Sequence, residues 1–230
     1  MNQCLSRRRI FQVSAAAVAA GFTSRAYAGP LGTAHTNLDA GAELDPGTMQ
    51  VLFADLQVPL VAGSQTMPPT SLATAAAVLA KVAKVLKMPT TFSVVPEGPN
   101  SPHLIPELKP FSSSANTLLR TPVCPFQHPP TAEMIARNQR RTLVLGGCAA
   151  EAVVVQTALD AMSAGYAVFY VVDAIGGLSE RSEAAAFRDM EHAGAVPTSV
   201  LSLATRLVHD FISAPGDEIF ASLKPLLSHS

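Results

Sequence analysis

Thr142-Leu143-Val144-Leu145-Gly146-Gly147, then a helical pattern from about Glu151 to Met162, then Ala167-Val168-Phe169-Tyr170-Val171-Val172-Asp173 read as strand, helix, strand. Two short apolar runs joined through one helix pair in parallel, because a crossover of that length returns the chain in the same direction and with a right hand. The same alternation extends outward in both directions. Val51 to Ala54 is a buried-strand candidate ending at Asp55. Leu72, Val78, Leu79, Val82, Val85 and Leu86 recur at helical spacing, with Thr70 or Ser71 as N-cap and Pro89 as the stop. Thr90 to Val95 and Asn116 to Leu119 are further strands, the second ending at Arg120, and a helix from about Ser182 to His192 closes on Gly194. Five strands alternating with helices predict an α/β fold, a doubly wound, mostly parallel open sheet with helices on both faces. No internal repeat or second domain is evident.

The composition suits such a sheet. Of 230 residues, 48% are apolar and 14% charged, which is too hydrophobic and too weakly charged for a disordered chain. A single domain of this length buries roughly 70% of its unfolded surface, so neither a disulfide framework nor a structural metal is needed. The formal charge of −1 excludes binding to polyanions by bulk charge, and nucleic acid is not an expected partner.

The first 28 residues read differently. Arg7-Arg8-Arg9-Ile10-Phe11 precedes a short Ala/Val run from Val13 to Gly21, and Ala26-Tyr27-Ala28 precedes Gly29. Basic, apolar and small-residue regions in that order are the plan of a secretory signal, and the run is too short to span a bilayer. The paired arginines resemble a twin-arginine signal, which implies folding before export through the twin-arginine machinery, cleavage near Ala28 and a periplasmic location. Cleavage there removes four arginines and no acid, leaving 12 basic against 17 acidic residues and a charge of −5. Residues 29–48, rich in Gly, Pro, Thr and Asp, read as a linker, with the domain spanning 49–230.

In open parallel sheets the ligand crevice lies beyond the carboxyl ends of the strands. Asp55, Gln57, Arg120, Glu151 and Asp173 are the polar residues at those ends. An acid ending the first strand, a basic residue and the helix after the fourth strand would make a compact site for activating a nucleophile, although a strand-end Asp also serves as a helix or turn cap. Gly146-Gly147 has neither the Walker lysine nor dinucleotide glycine spacing, which leaves a phosphate-binding module poorly supported. His103, His128, His192 and His209 are scattered without zinc-ligand spacing, so no metal and no cofactor are expected.

Three blocks taken in order carry a resemblance. They are Val51-Leu52-Phe53-Ala54-Asp55-Leu56-Gln57; Gly98-Pro99-Asn100 with Leu104-Ile105-Pro106-Glu107-Leu108-Lys109 and Arg120; and Leu143 to Gly147 continuing through Glu151, Thr157-Ala158-Leu159 and Val171-Val172-Asp173-Ala174. From about Met49 to Phe211 the chain resembles the isochorismatase-like cysteine hydrolases. That resemblance implies a small-molecule substrate, a homo-oligomer, and a catalytic Asp, basic residue and Cys. Asp55 falls on the first and Arg120 on the second. The nucleophile position holds Val153, in Ala150-Glu151-Ala152-Val153, and a valine has no lone pair for attack on a carbonyl. Gln57, Phe126, Ala149, Ala150 and Glu151 are the ligand contacts it implies.

Three readings of the missing thiol stay open. The pocket binds a small carbonyl or carboxylate ligand without thiol chemistry; Cys148, in the strand-to-helix loop, acts instead; or Asp55 activates water directly. Cys148 is also readable as a small buried filler. In an oxidising compartment it could equally pair with Cys124.

Overall fold

The computed structural model describes residues 44–98 and 102–227. The expected signal segment 1–28, the expected linker as far as residue 43, and Pro99-Asn100 of the second block lie outside the described residues. The chain is already packed at Leu44, and Asp45 caps a short 3₁₀ turn, Pro46–Thr48, that leads into the first strand.

Among the described residues, six parallel strands form one sheet: β1 (Met49–Ala54), β2 (Thr90–Val94), β3 (Thr117–Leu119), β4 (Thr142–Cys148), β5 (Ala167–Gly176) and β6 (Val196–Thr198), in the order β3-β2-β1-β4-β5-β6. The chain winds outward from β1 to β3, returns to pair β4 against the other side of β1, and winds outward again, so strand order reverses between β1 and β4. That reversal opens a crevice at the carboxyl ends of those two strands. The central strands are buried throughout, as a parallel sheet covered on both faces requires.

One face packs on α1 (Val58–Ala62), α2 (Pro69–Val85), α6 (Val200–Leu207) and α7 (Gly216–Leu227) through Val51, Phe53, Phe92, Val144 and Phe169. The other face, through Leu52, Leu143, Leu145, Val168 and Tyr170, packs on α3 (Pro129–Arg137), α4 (Val155–Ser163) and α5 (Glu180–His192). The doubly wound fold is the one the sequence predicts, with several local differences. Helix α2 begins at Pro69 behind Pro68 rather than at a Thr70 or Ser71 cap, because proline preset for the first turn replaces the side-chain cap. Ser179, not a residue nearer Ser182, caps α5.

A sixth strand, β6, escapes the sequence reading because it has three residues with Pro197 at its centre; a proline is tolerated at a sheet edge, where one face of the backbone has no partner. A further difference bears on the site. Gly146 and Gly147 do not follow β4 but lie inside it, paired with Phe53 and Ala54 of β1, and the strand runs on to Cys148. A Cβ on Gly147 would stand 2.5 Å from the Ala54 carbonyl oxygen, so glycine is what allows β4 to approach β1 closely enough to continue.

Candidate active site

Asp55 and Cys148 each stand one residue beyond Ala54 and Gly147, the last pair between β1 and β4, at the ends of the two strands that flank the reversal. Asp55 has φ of 59°, in the left-handed region, so the chain turns sharply as it leaves β1. Asp is one of the few side chains that tolerates that conformation, and such outliers gather at functional sites. Its N–H donates to the Ser93 carbonyl at 2.9 Å, and its own carbonyl accepts from the Gln57 N–H at 2.8 Å, which fixes the turn.

Arg120 follows β3 and reaches across the end of β2 to this turn. Its Nη2 donates to both carboxylate oxygens of Asp55, at 2.8 and 2.7 Å, while Nη1 donates to the Pro122 carbonyl at 2.9 Å. The Arg120 Nε–H is buried and has no partner among the described residues. Asp55 is 6% and Arg120 1% exposed. Burial pushes the Asp55 carboxyl up to about 6, outweighing the Arg120 charge and hydrogen bonds that pull it down. The site thus holds a carboxyl poised near neutrality against a guanidinium whose Nε–H is unpartnered among the described residues.

Beyond β4 the chain forms a π-helical turn, Ala150–Val154, before α4 begins, and the Cys148–Ala149 peptide is cis. Cys148 is not in a loop, as the sequence reading places it, but is the last residue of β4. Its side chain belongs to the α1/α2 core, where the thiol donates to the Leu60 carbonyl at 3.5 Å. Burial, with the negative charges of Glu151, Asp55 and Glu183, pushes that thiol up to about 12. Cys124 and Cys148 are both free and buried, so the disulfide left open by the sequence is not formed.

Val153 lies in the π turn, 2% exposed, in the opposite core. Ala150 belongs to that same core, and Phe126, half-buried on a 3₁₀ turn at Pro125–Gln127, packs against it with its ring edge-on to Tyr166 at 5.6 Å. Ala149 packs with Cys148 against the other core. The residues expected from the sequence to meet the ligand therefore come from both faces of the sheet at one end of it. Among them, Asp55 and Arg120 touch through their polar side-chain atoms.

The remaining polar side chains have structural engagements. Gln57, fully buried, donates to the Val95 carbonyl and to Glu97 Oε1 and accepts from the Val95 N–H, at 3.0, 2.7 and 2.8 Å. Its amide ties the turn after β1 to the end of β2, a use that no sequence pattern signals. Glu151 Oε1 accepts from the Leu178 N–H at 2.9 Å and from the Ser182 hydroxyl at 2.6 Å, fastening the π turn to the start of α5. Burial pushes the Glu151 carboxyl up, but these hydrogen bonds prevail and hold it below its ordinary value. Asp173 is not at a strand end: it lies inside β5, and its carboxylate accepts from the Val200 N–H at 2.9 and 3.2 Å, capping α6. Among the described residues, no three His, Cys, Asp or Glu side chains are grouped to hold a metal ion.

The family model described as Isochorismatase domain matches residues 49–202. The probable hydrolase YcaC of Escherichia coli is 27% identical over 170 residues, covering 73% of this chain and 81% of its own. The E. coli YcaC crystal structure, an octameric hydrolase of unknown specificity, superposes with a TM-score of 0.74 over 80% of this chain and 92% of that one, at 27% identity. YcaC from Pseudomonas aeruginosa, solved with hexane-2,5-diol and covalent acrylamide, gives 0.73 over 80% and 91%, at 26% identity.

Proposed function

The chain belongs to the isochorismatase family, and from that premise we propose that it is a hydrolase-like protein that takes a small amide, ester or other carbonyl compound at the Asp55–Arg120 crevice without a thiol nucleophile. One observation carries this reading. Val153 occupies the position where the family resemblance implies the nucleophile, and the Cys148 thiol, held against the Leu60 carbonyl and pushed up to about 12, is almost wholly un-ionised at neutral pH. The thiolate, not the thiol, attacks carbonyl carbon.

A second reading is favoured by the Asp55 carboxyl, which burial sets at about 6. A general base works best when its pKa lies near the working pH, so Asp55 suits direct activation of water, with the Arg120 charge opposite the oxygen that becomes negative. The two readings separate in one experiment, a panel of small amides and esters assayed with the native protein, Cys148→Ser and Asp55→Asn. Ligand binding without turnover in the native protein supports the binding reading. Turnover that survives Cys148→Ser and vanishes in Asp55→Asn supports activated water, and turnover abolished by Cys148→Ser refutes both.

The protein is proposed to act as a homo-oligomer, supported by the octameric E. coli relative. It is proposed to be exported folded by the twin-arginine machinery to the periplasm, supported by Arg8-Arg9-Ile10-Phe11 and by Ala26-Tyr27-Ala28.

A further inference from the structure

The open edge of the sheet carries a groove apart from the Asp55–Arg120 pair. Val94 of β2 and Leu119 of β3 are register partners, and Thr117 lies two residues before Leu119. Side chains two apart on a strand share a face, so these three form one floor, while Arg120, next in line, leaves that face. The 3₁₀ helix Pro106–Phe111 and the residues around Leu104 flank the floor, leaving an open groove of about 430 Å³. That volume lies within the range of small-molecule sites.

The groove is apolar below, and its rim carries Ser112, Ser113 and Ser114 beside the basic side chains. Leu119 is 52% exposed, and the Thr117 hydroxyl is buried with no hydrogen-bond partner among the described residues. Lys109 lines the rim and forms no ion pair with any described residue. The other basic side chain there, His103, is already held to Glu97 at 3.0 Å, which offsets whatever charge it carries. Lys109 therefore contributes the free positive charge, above an apolar floor and an unmet hydroxyl.

We propose that this groove is a binding site for a small organic monoanion with an apolar body, a short-chain carboxylate. The carboxylate would meet Lys109, and the hydrocarbon would cover Leu119, the exposed apolar side chain of the floor. An inorganic anion would leave the apolar floor exposed, and a neutral hydrocarbon would leave the lysine unused. The site stands independently of the reading of the strand-end crevice.

Calorimetric titration of the full chain with hexanoate and with hexan-1-ol tests it. Hexanoate is expected to bind saturably, and at least tenfold more tightly than the alcohol. Removal of one charge-assisted hydrogen bond by Lys109→Met should weaken hexanoate about tenfold and erase its advantage over the alcohol. Leu119→Asp, at an exposed position that leaves the core intact, should abolish binding. Absence of saturable binding, or hexanoate affinity unchanged in Lys109→Met, would overturn the proposal. Binding that is lost in Arg120→Met and kept in Lys109→Met would place the anion in the strand-end crevice and overturn it equally.

Discussion

A single guanidinium nitrogen, Arg120 Nη2, holds both carboxylate oxygens of Asp55, at 2.8 and 2.7 Å, inside a site that water scarcely reaches. The contact joins residues from the ends of β1 and β3 across the intervening β2, so it depends on the whole right half of the sheet being in register. It also leaves Arg120 Nε without a partner among the described residues, a donor that a ligand's oxygen could use on small movement of the side chain.

Breaking this pair from one side strands a buried charge. Arg120→Met is expected to cost about 3–5 kcal/mol, and Asp55→Asn a similar amount, because the remaining partner has neither water nor counter-charge. Combined in one chain, the two substitutions should cost clearly less than their sum. Urea unfolding of the four proteins measures this, and simple additivity would mean that the two side chains act independently.

The pH dependence of stability follows from the sign of the Asp55 shift. The folded state holds this proton more tightly than the unfolded chain, from a value of 3.8 up to about 6. Stability contributed by Asp55 therefore falls as pH rises from 3.8 towards 6 and is level above that range. The slope is at most about 1.4 kcal/mol per pH unit for one proton. Unfolding curves of native and Asp55→Asn proteins across that interval should diverge with this sign, the native protein losing ground as pH rises. Parallel curves would show that Asp55 is already ionised throughout.

Gln57→Leu removes the amide that bonds both backbone groups of Val95 and the Glu97 carboxylate. The freed Val95 N–H and C=O have no sequence neighbour to replace it, so a loss of about 1–3 kcal/mol is expected by urea unfolding. A loss near zero would mean that water substitutes for the amide.

Export is testable without reference to activity. Replacement of Arg8 and Arg9 by lysine is expected to abolish periplasmic accumulation while leaving folded protein in the cytoplasm, measured by fractionation and blotting. Unchanged periplasmic yield would refute the twin-arginine reading.

Five of the six strands were legible because a doubly covered parallel sheet concentrates β-branched and aromatic residues into short runs, as at Val168-Phe169-Tyr170-Val171. Glycines were misleading where tertiary approach, not turn formation, selects them. Gly146 and Gly147 look like a strand's end, yet the Ala54 carbonyl requires one of them within the strand. That difference moves Cys148 from a loop to a core strand and changes its chemistry. Asp173 was legible as polar at the end of an apolar run, but its partner, the Val200 N–H, lies 27 positions onward. The pairing of Asp55 with Arg120 spans 65 positions, and no local pattern reports it; the ordered blocks of the family resemblance are what pointed to it.

The proposed absence of a reactive thiol at the Asp55–Arg120 crevice is open to test with acrylamide, which adds to thiolates through a new carbon–sulfur bond. Intact-mass measurement after incubation at neutral pH, on the chain beginning at Gly29 and so lacking Cys4, should show no adduct on the folded native protein, whose Cys124 and Cys148 are buried, and a single adduct on Val153→Cys, the position at which the family resemblance implies the nucleophile. An adduct that forms on the folded native protein and disappears in Cys148→Ser would contradict the claim.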